Sequence, residues 1–273
     1  MSGAPSPGPA APLPAASLIG PAHWPAACGA AMTTRLGGQG VAPWDTLNMK
    51  ARDGEDADAA AVAGHRAAFV ASTGARPVWL EQVHGARVAR LASADLLPGA
   101  PVPVADASIT TEPGIACTVM VADCLPVLFA DRAGRVVGAA HAGWRGLAGG
   151  VVEATVDAMR EVVPGLAAPD LVAWLGACIG PERFEVGDDV REAFVASMGA
   201  GARARFREAP AREGVRKWWA DLPGLAVDRL AALGVAEWSV AGECTVSAAS
   251  RFFSFRREGR TGRMAAAAWI VTR

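Results

Sequence analysis

Three segments of the chain place a metal-binding or nucleophilic side chain at the same kind of position. They are EQVHG (81–85), VADCLP (121–126) and AAHAGWRG (139–146), which carry His84, Cys124 and His141. Each follows an apolar run and precedes a turn, and strand ends are where side chains from separate segments converge on a rigid frame. Two imidazoles and a thiolate make a three-ligand set for Zn²⁺ and leave a fourth position open, as a catalytic site requires. Asp123, beside Cys124, is a candidate to orient a ligand or to serve as a base. Taken singly, each residue reads more simply: His84 as a turn residue, Cys124 as a buried thiol, His141 as a core imidazole held by a hydrogen bond. The case for a metal rests on all three recurring at strand ends.

The elements that would position them follow from the texture of the chain. Segment 55–72 has helical spacing with acidic residues in its first turn, which suits the positive helix end. From Pro77 to His141 the pattern changes to short apolar runs, giving expected strands at 78–83, 86–91, 107–110, 115–122, 126–131 and 135–141. DRAG (131–134) reads as a hairpin turn between the last two. A helix at about 146–163, a strand at 171–178, helices near 188–198 and 221–233, and strands at 235–241 and 264–271 complete the reading. The strands cluster, so a strict βαβ alternation fails. The expectation is a mixed α/β (α+β) sandwich over 23–273, as a single domain, rather than a doubly wound parallel sheet. Residues 1–22, rich in Ala and Pro, read as a disordered leader.

Composition removes several classes. Of 273 residues, 52% are hydrophobic, but no run approaches the roughly 20 apolar residues of a membrane span. The formal net charge of −1 supplies no basic field for nucleic acid or anionic lipid. Only two of the 26 basic residues are lysines, Lys50 and Lys217, which reads as coding bias. The five cysteines are scattered and form no CxxC pair, unlike a disulfide scaffold. The leader has no basic n-region followed by a continuous apolar stretch, so it does not read as a signal peptide, and the expected compartment is the cytoplasm.

Across nearly the whole body the sequence resembles the YfiH/laccase-domain family, variously called polyphenol oxidoreductase, purine nucleoside phosphorylase or peptidoglycan editing factor. The resemblance is carried by TTRLGG (33–38), TLNM (46–49), EQVHG, ADASIT (105–110), VADCLPVLFAD, HAGWRG, LGACIGPERFEVG (175–187) and RFFSFRREGRTGRMA (251–265). It implies that His84, Cys124 and His141 are zinc ligands in a layered α/β/β/α sandwich with mixed sheets, related to the toxin-type cysteine deamidases. It also implies that Arg35 and Asn48 belong to the active-site cleft. The chain departs from the family pattern at His65, in the turn QGVAPWDTLN after TRLGG, and at Glu182-Arg183.

Other features carry less. HAGWRG invites a phosphate-loop reading, with Arg145 as an anion-binding residue, but it has neither the spacing nor the Lys of a Walker loop. RFFSFRREGR interleaves aromatics with charge, and it reads as a loop shaping the cleft or a subunit contact. His23 and His65 read as structural or solvent-facing, and Cys28, Cys117 and Cys178 as small hydrophobes.

The resemblance implies a zinc enzyme of purine nucleosides acting on adenosine, inosine or methylthioadenosine. Zinc-activated water would deaminate at purine C6, and phosphate near Arg35 with sugar near Asn48 would permit phosphorolysis. The expected partners are therefore a nucleoside and phosphate, with no nucleic acid and no membrane. Alternatives are a hydrolase editing peptidoglycan precursors through Cys124 and His141 or through zinc, a laccase-like copper enzyme, and a non-catalytic metal-binding module. Four histidines are too few for type-1 and trinuclear copper centres, so zinc is expected, with copper as an adventitious occupant.

Overall fold

A computed structural model describes residues 10–50 and 56–272. In chain order its strands are β1 (Leu18–Ile19), β2 (Cys28–Thr33), β3 (Arg76–Val78), β4 (Val88–Arg90), β5 (Ala107–Thr110), β6 (Ile115–Val121) and β7 (Leu125–Asp131). They continue with β8 (Val137–Ala142), β9 (Leu171–Leu175), β10 (Glu185–Val186), β11 (Phe206–Arg212), β12 (Val215–Ala220), β13 (Glu237–Val240) and β14 (Met264–Ile270). The helices are α1 (Asp56–Thr73), α2 (Trp144–Ala148), α3 (Val151–Val162), α4 (Asp188–Met198), α5 (Leu222–Ala232) and α6 (Phe255–Glu258).

Two mixed sheets dominate, a five-stranded one in the order β1-β2-β14-β6-β3 and a six-stranded one in the order β13-β9-β7-β8-β5-β4. Side chains alternate across a strand, so burial on both faces demands apolar residues at every position. Strands β6, β7, β8 and β14 come close to that demand, with Thr118, Asp131 and His141 the buried polar exceptions. Cys117, Val119 and Val121 of β6, Leu128 and Ala130 of β7, and Met264, Ala266 and Ala268 of β14 fill one layer between the two sheets. The alternate residues Val127 and Phe129 turn to the outer face of the six-stranded sheet, against Val152, Val156 and Met159 of α3 and Leu225 of α5. Ala265 and Ala267 face the other way, with Phe69 of α1 and Leu47. The result is the expected α/β/β/α layering.

The chain passes from one sheet to the other between Val121 and Leu125, because β6 pairs in the first sheet and β7 in the second. Asp123 makes that corner with a φ of +92°, a left-handed conformation that Asp adopts more readily than most residues. The β7–β8 hairpin is antiparallel, and Gly134 at φ +72° closes its turn, as the DRAG sequence leads one to expect.

Several expectations are corrected. The expected helix over 146–163 is two helices, since Gly150 at φ +88° separates α2 from α3. The first residue of the expected helix 55–72 lies outside the described residues. Of the expected strand 78–83 only its start pairs, in β3; beyond it the chain is held by Glu81, bridged to Val104. The expected leader of 1–22 is not all separate from the fold: residues 1–9 lie outside the described residues, but Leu18 and Ile19 pair with Thr33 and Met32 of β2. Ser17 is fully buried there, and the Leu13 N–H donates to Ser72 Oγ on α1. The β11–β12 hairpin is unannounced by hydrophobic alternation because it is rich in charge and largely exposed. Its turn has Glu213 and Gly214 both at positive φ, a two-residue geometry suited to strand twist.

Among the described residues no helix is long and apolar enough to cross a membrane.

Strand β14 lies against β2 with Trp269 opposite Gly29, and a Cβ on that glycine would fall 2.1 Å from the indole. Gly29→Val should therefore lower stability by about 1–3 kcal/mol through overpacking. A urea midpoint equal to that of the parent would show that the indole moves aside without cost.

Candidate metal centre

The intersheet layer opens at one end of the sandwich, and the three donor segments meet there. His141 is the penultimate residue of β8, alternating with Ala140 and Ala142, which face the helices. Cys124 immediately precedes β7 at the sheet-to-sheet corner, and His84 occupies a turn at φ +62°. The turn lies outside the strand ladders, after β3 ends at Val78 and before β4 begins at Val88, so other contacts must hold it. Gln82 supplies one, since its side-chain amide donates to the Met120 carbonyl (2.9 Å) and accepts from the Met120 N–H (2.8 Å).

Asp106 supplies the others. Its carboxylate accepts the main-chain N–H groups of Val83, His84 and Gly85 at 3.1, 2.9 and 2.7 Å, and His141 Nδ1 lies 2.8 Å from its Oδ1. Asp106 is fully buried. Burial alone would raise its pKa, but hydrogen bonds from His141, Gly85 and His84 hold the carboxyl below its ordinary value. Nδ1 of His141 thereby carries the proton toward Asp106 and Nε2 is turned to the cluster, the arrangement by which a carboxylate orients a metal-binding histidine.

The ligand atoms of His84, Cys124 and His141 lie within 4.8 Å of one another. The two imidazole rings meet edge to face with centroids 4.8 Å apart, and Cys124 Sγ is 4.0 Å from His84 Nε2. Burial pushes the Cys124 thiol up, but hydrogen bonds with His141 and His84 outweigh it and bring the pKa down to about 6. Burial pulls His141 down, yet Asp106 and Cys124 raise it to about 9. A thiolate and two nitrogen donors from three separate segments fit a soft or borderline divalent ion in a three-ligand, open geometry. Among the described residues no other group of three such side chains converges.

The glycines of HAGWRG have a steric purpose rather than the phosphate-binding one its sequence suggests. A Cβ on Gly143 would lie 3.0 Å from Cys124 Sγ and 3.2 Å from the His84 ring, and one on Gly146 would lie 2.8 Å from the Gly85 carbonyl oxygen. The glycines let α2 close over the cluster.

The centre opens into a cleft of about 270 Å³ whose lining includes Lys50, Gln82, Met120, Phe255 and Arg263 with the three donors. A second, more apolar chamber of about 150 Å³ adjoins it, sharing Ala122, Cys124 and Phe255 and walled by Trp144, Ile179, Phe184 and Leu222.

The other residues singled out from the sequence take different places. Asp123 does not face the cluster: its carboxylate accepts from Thr245 Oγ1 (2.6 Å) and from the Arg256 N–H (2.7 Å). Arg35 does not line the cleft. It donates to the Asp45 carbonyl, the Ala249 carbonyl and Glu258, and lies over the Phe253 ring, bracing one wall. Asn48 is buried, and its carboxamide accepts the Lys50 and Arg263 N–H groups and donates to the Lys50 carbonyl. It thus fixes two cleft residues from behind. Arg145 is exposed and stacks on Trp144 at 4.4 Å, with Trp144 in turn walling the second chamber. His65 is bound through both ring nitrogens, to the Gln39 N–H and the Asn48 carbonyl. In RFFSFRREGR, Phe252 and Phe253 are core residues while Phe255 faces the cleft. Asp106, Lys50, Gln82 and Arg263 are site residues that sequence reasoning did not single out, although Asp106 lies in ADASIT, between the first two donors.

The model of a family described as multi-copper polyphenol oxidoreductase laccase matches residues 29–271. A purine nucleoside phosphorylase of Pseudomonas aeruginosa is 48% identical over 246 residues, covering 90% of this chain and 95% of that protein. Purine nucleoside phosphorylase YfiH of Escherichia coli is 43% identical over 253 residues, covering 91% and 97%. The crystal structure of a Neisseria meningitidis protein superposes with a TM-score of 0.82 at 39% identity, covering 94% of this chain and all (100%) of the other.

Replacing Asp106 by Asn removes one acceptor of the pair that binds three N–H groups and an imidazole. Metal affinity should fall about 10- to 100-fold, the usual effect of losing an outer partner, as read by competition with a chromogenic chelator. Gly143→Ala should weaken metal binding as well, by displacing Cys124. Unchanged affinity in both variants would show that the three ligands hold their geometry unaided.

Proposed function

We propose that this chain, which belongs to the family described as multi-copper polyphenol oxidoreductase laccase, is a zinc-dependent enzyme of purine nucleosides. Its substrates are adenosine, inosine or methylthioadenosine, cleaved with phosphate at the N-glycosidic bond, with deamination of adenosine at the same centre. The observation that carries the reading is the convergence of His84, Cys124 and His141 at the mouth of a polar cleft, with His141 oriented by Asp106. Relatives that share 48% and 43% of their aligned residues are purine nucleoside phosphorylases by name, which supports the substrate class.

A zinc ion held by these three donors supplies a Lewis acid with one coordination position open to a substrate or water. The chain's own residues do the rest. Asp106 fixes the tautomer of His141 and the turn of His84. Lys50 and Arg263, placed by Asn48, bring positive charge to the cleft, so the anion position expected at Arg35 passes to them. Gln82 closes the cleft beside His84 with its amide already paired to Met120. Copper-oxidase chemistry of the multicopper kind is disfavoured by the scatter of imidazoles. His65 is tied to Gln39 and Asn48, and His23 lines a separate cavity with Trp24 and Arg132. The cytoplasm is the proposed setting, in keeping with five cysteines that form no disulfide.

One arrangement favours a second reading. Without a metal, Cys124, His141 and Asp106 form a thiolate–imidazolium–carboxylate relay, the donor order of a cysteine hydrolase. Such an enzyme would attack an amide or ester, as editing of a peptidoglycan precursor requires.

The deciding experiment is a product assay with adenosine, with and without phosphate, on protein of measured metal content. Free base that appears only with phosphate, inosine that appears without it, and about one zinc per chain are expected. His84→Ala, Cys124→Ala and His141→Ala should each lose metal and turnover together, by more than the roughly 100-fold upper range for an outer partner. Stoichiometric copper without zinc, or turnover by a metal-free triple variant, would sink the zinc reading. Hydrolysis that survives chelation but not Cys124→Ala would establish the relay instead.

A further inference from the structure

Phe255 is the most exposed phenylalanine or tryptophan among the described residues, at 55%. It is also shared by the polar cleft and the apolar chamber, so it stands on the divide between them. A single exposed phenyl ring is ordinary on a protein surface, but one that lines two adjoining cavities is placed to meet whatever enters them. Its backbone is held on every side. Ser254 caps α6 by accepting the Arg257 N–H at 3.2 Å, and the Arg256 N–H donates to Asp123 Oδ2 at 2.7 Å. The Arg257 guanidinium donates to the carbonyls of Thr245, Val246 and Phe252 at 2.6, 2.9 and 2.7 Å. The ring is presented by a fixed backbone at the edge of the chamber, with the Arg263 guanidinium 6.0 Å from its centroid on the cleft side. Across the chamber stand Trp144, Phe184, Ile179 and Leu222, and Cys124 forms the boundary with the cleft.

We propose that Phe255 is the stacking platform for the planar heterocycle of the substrate, which enters the apolar chamber while the polar remainder stays in the cleft with Gln82 and Lys50. The inference rests on the purine-nucleoside reading and deepens it. A flat, weakly polar ring is the chemistry that aromatic and aliphatic walls recognise, and stacking on a phenyl face tolerates exchange of one base for another. The pose lays the bond between base and sugar across the boundary formed by Cys124, next to the three donors. It also gives Asp123 a positioning role: the residue at the sheet-to-sheet corner beside the metal ligand is hydrogen-bonded to the helix that bears the platform.

The test uses Phe255→Ala, Phe255→Trp and Ile179→Trp in the full chain loaded with zinc. Free adenine and free hypoxanthine are titrated calorimetrically, and nucleoside kinetics are run in parallel. Phe255 is exposed, so its replacement leaves folding and metal content at parental values, and both are measured. Phe255→Ala should weaken binding of both bases about 5- to 100-fold, the range for loss of a base–aromatic stack, with a matching rise in KM. Phe255→Trp should retain binding within a few-fold, and Ile179→Trp, which fills the chamber, should abolish it. Parental base affinity and KM in Phe255→Ala would overturn the proposal even if nucleoside turnover is confirmed. A parent that binds bases through Phe255 but turns over no nucleoside would keep the platform and remove the functional reading. A parent that binds neither base would remove the platform.

Discussion

One carboxylate organises the centre. Asp106 is fully buried, and its two oxygens serve three main-chain N–H groups of the His84 turn and the imidazole of His141. Burying a charge is costly unless it is hydrogen-bonded on all sides. The four N–H donors that meet this cost belong to the segments carrying His84 and His141, two of the three candidate metal donors. The third candidate donor, Cys124, is placed by the corner at Asp123, whose own carboxylate reaches Thr245 and Arg256. Two aspartates thus locate the cluster.

The sandwich explains why the cluster lies where it does. A space closed by two sheets is wide enough for side chains only, and it becomes a site where the apolar layer runs out at the strand ends. β7 and β8 reach that edge together because they form a hairpin, and the crossover from β6 delivers Cys124 there. The glycines at 143 and 146 let the next helix close over the thiolate and the turn. Polar groups then accumulate on the open side and aromatic ones beneath the helices, which divides the cavity into a cleft and a chamber.

The sequence made part of this legible. Residues buried on both faces, as in β6, β7 and β14, stand out as short apolar runs, and strands 107–110, 115–122 and 264–271 were read to within a residue or so. The donors were legible because imidazole and thiol are rare in this chain and fell at strand ends. What stayed hidden depended on contacts far apart in sequence. Asp106 is 22 residues from His84 and 35 from His141, so nothing local signals that it binds both. Arg35 looked like a cleft residue because an arginine after two threonines carries the same local pattern whether it meets a ligand or, as here, Glu258 at a separation of 223 positions. The exposed hairpin of β11 and β12 escaped because its stability comes from pairing and turn geometry rather than from an alternating buried face.

The central position of the β7–β8 hairpin has a kinetic consequence. β7 and β8 each have a neighbour on either side, β9 beyond β7 and β5 beyond β8, so opening them means disrupting the six-stranded sheet. Amides in such strands exchange with solvent only through near-global unfolding, whereas a turn opens far more readily. Cys124, immediately before β7, and His141, in β8, therefore sit at the end of the best-protected hairpin, whereas the turn bearing His84 is held by side-chain contacts from Asp106 and Gln82. In the three-donor metal reading proposed above, an ion would be gained and lost through movement of residues 83–85 rather than of the hairpin.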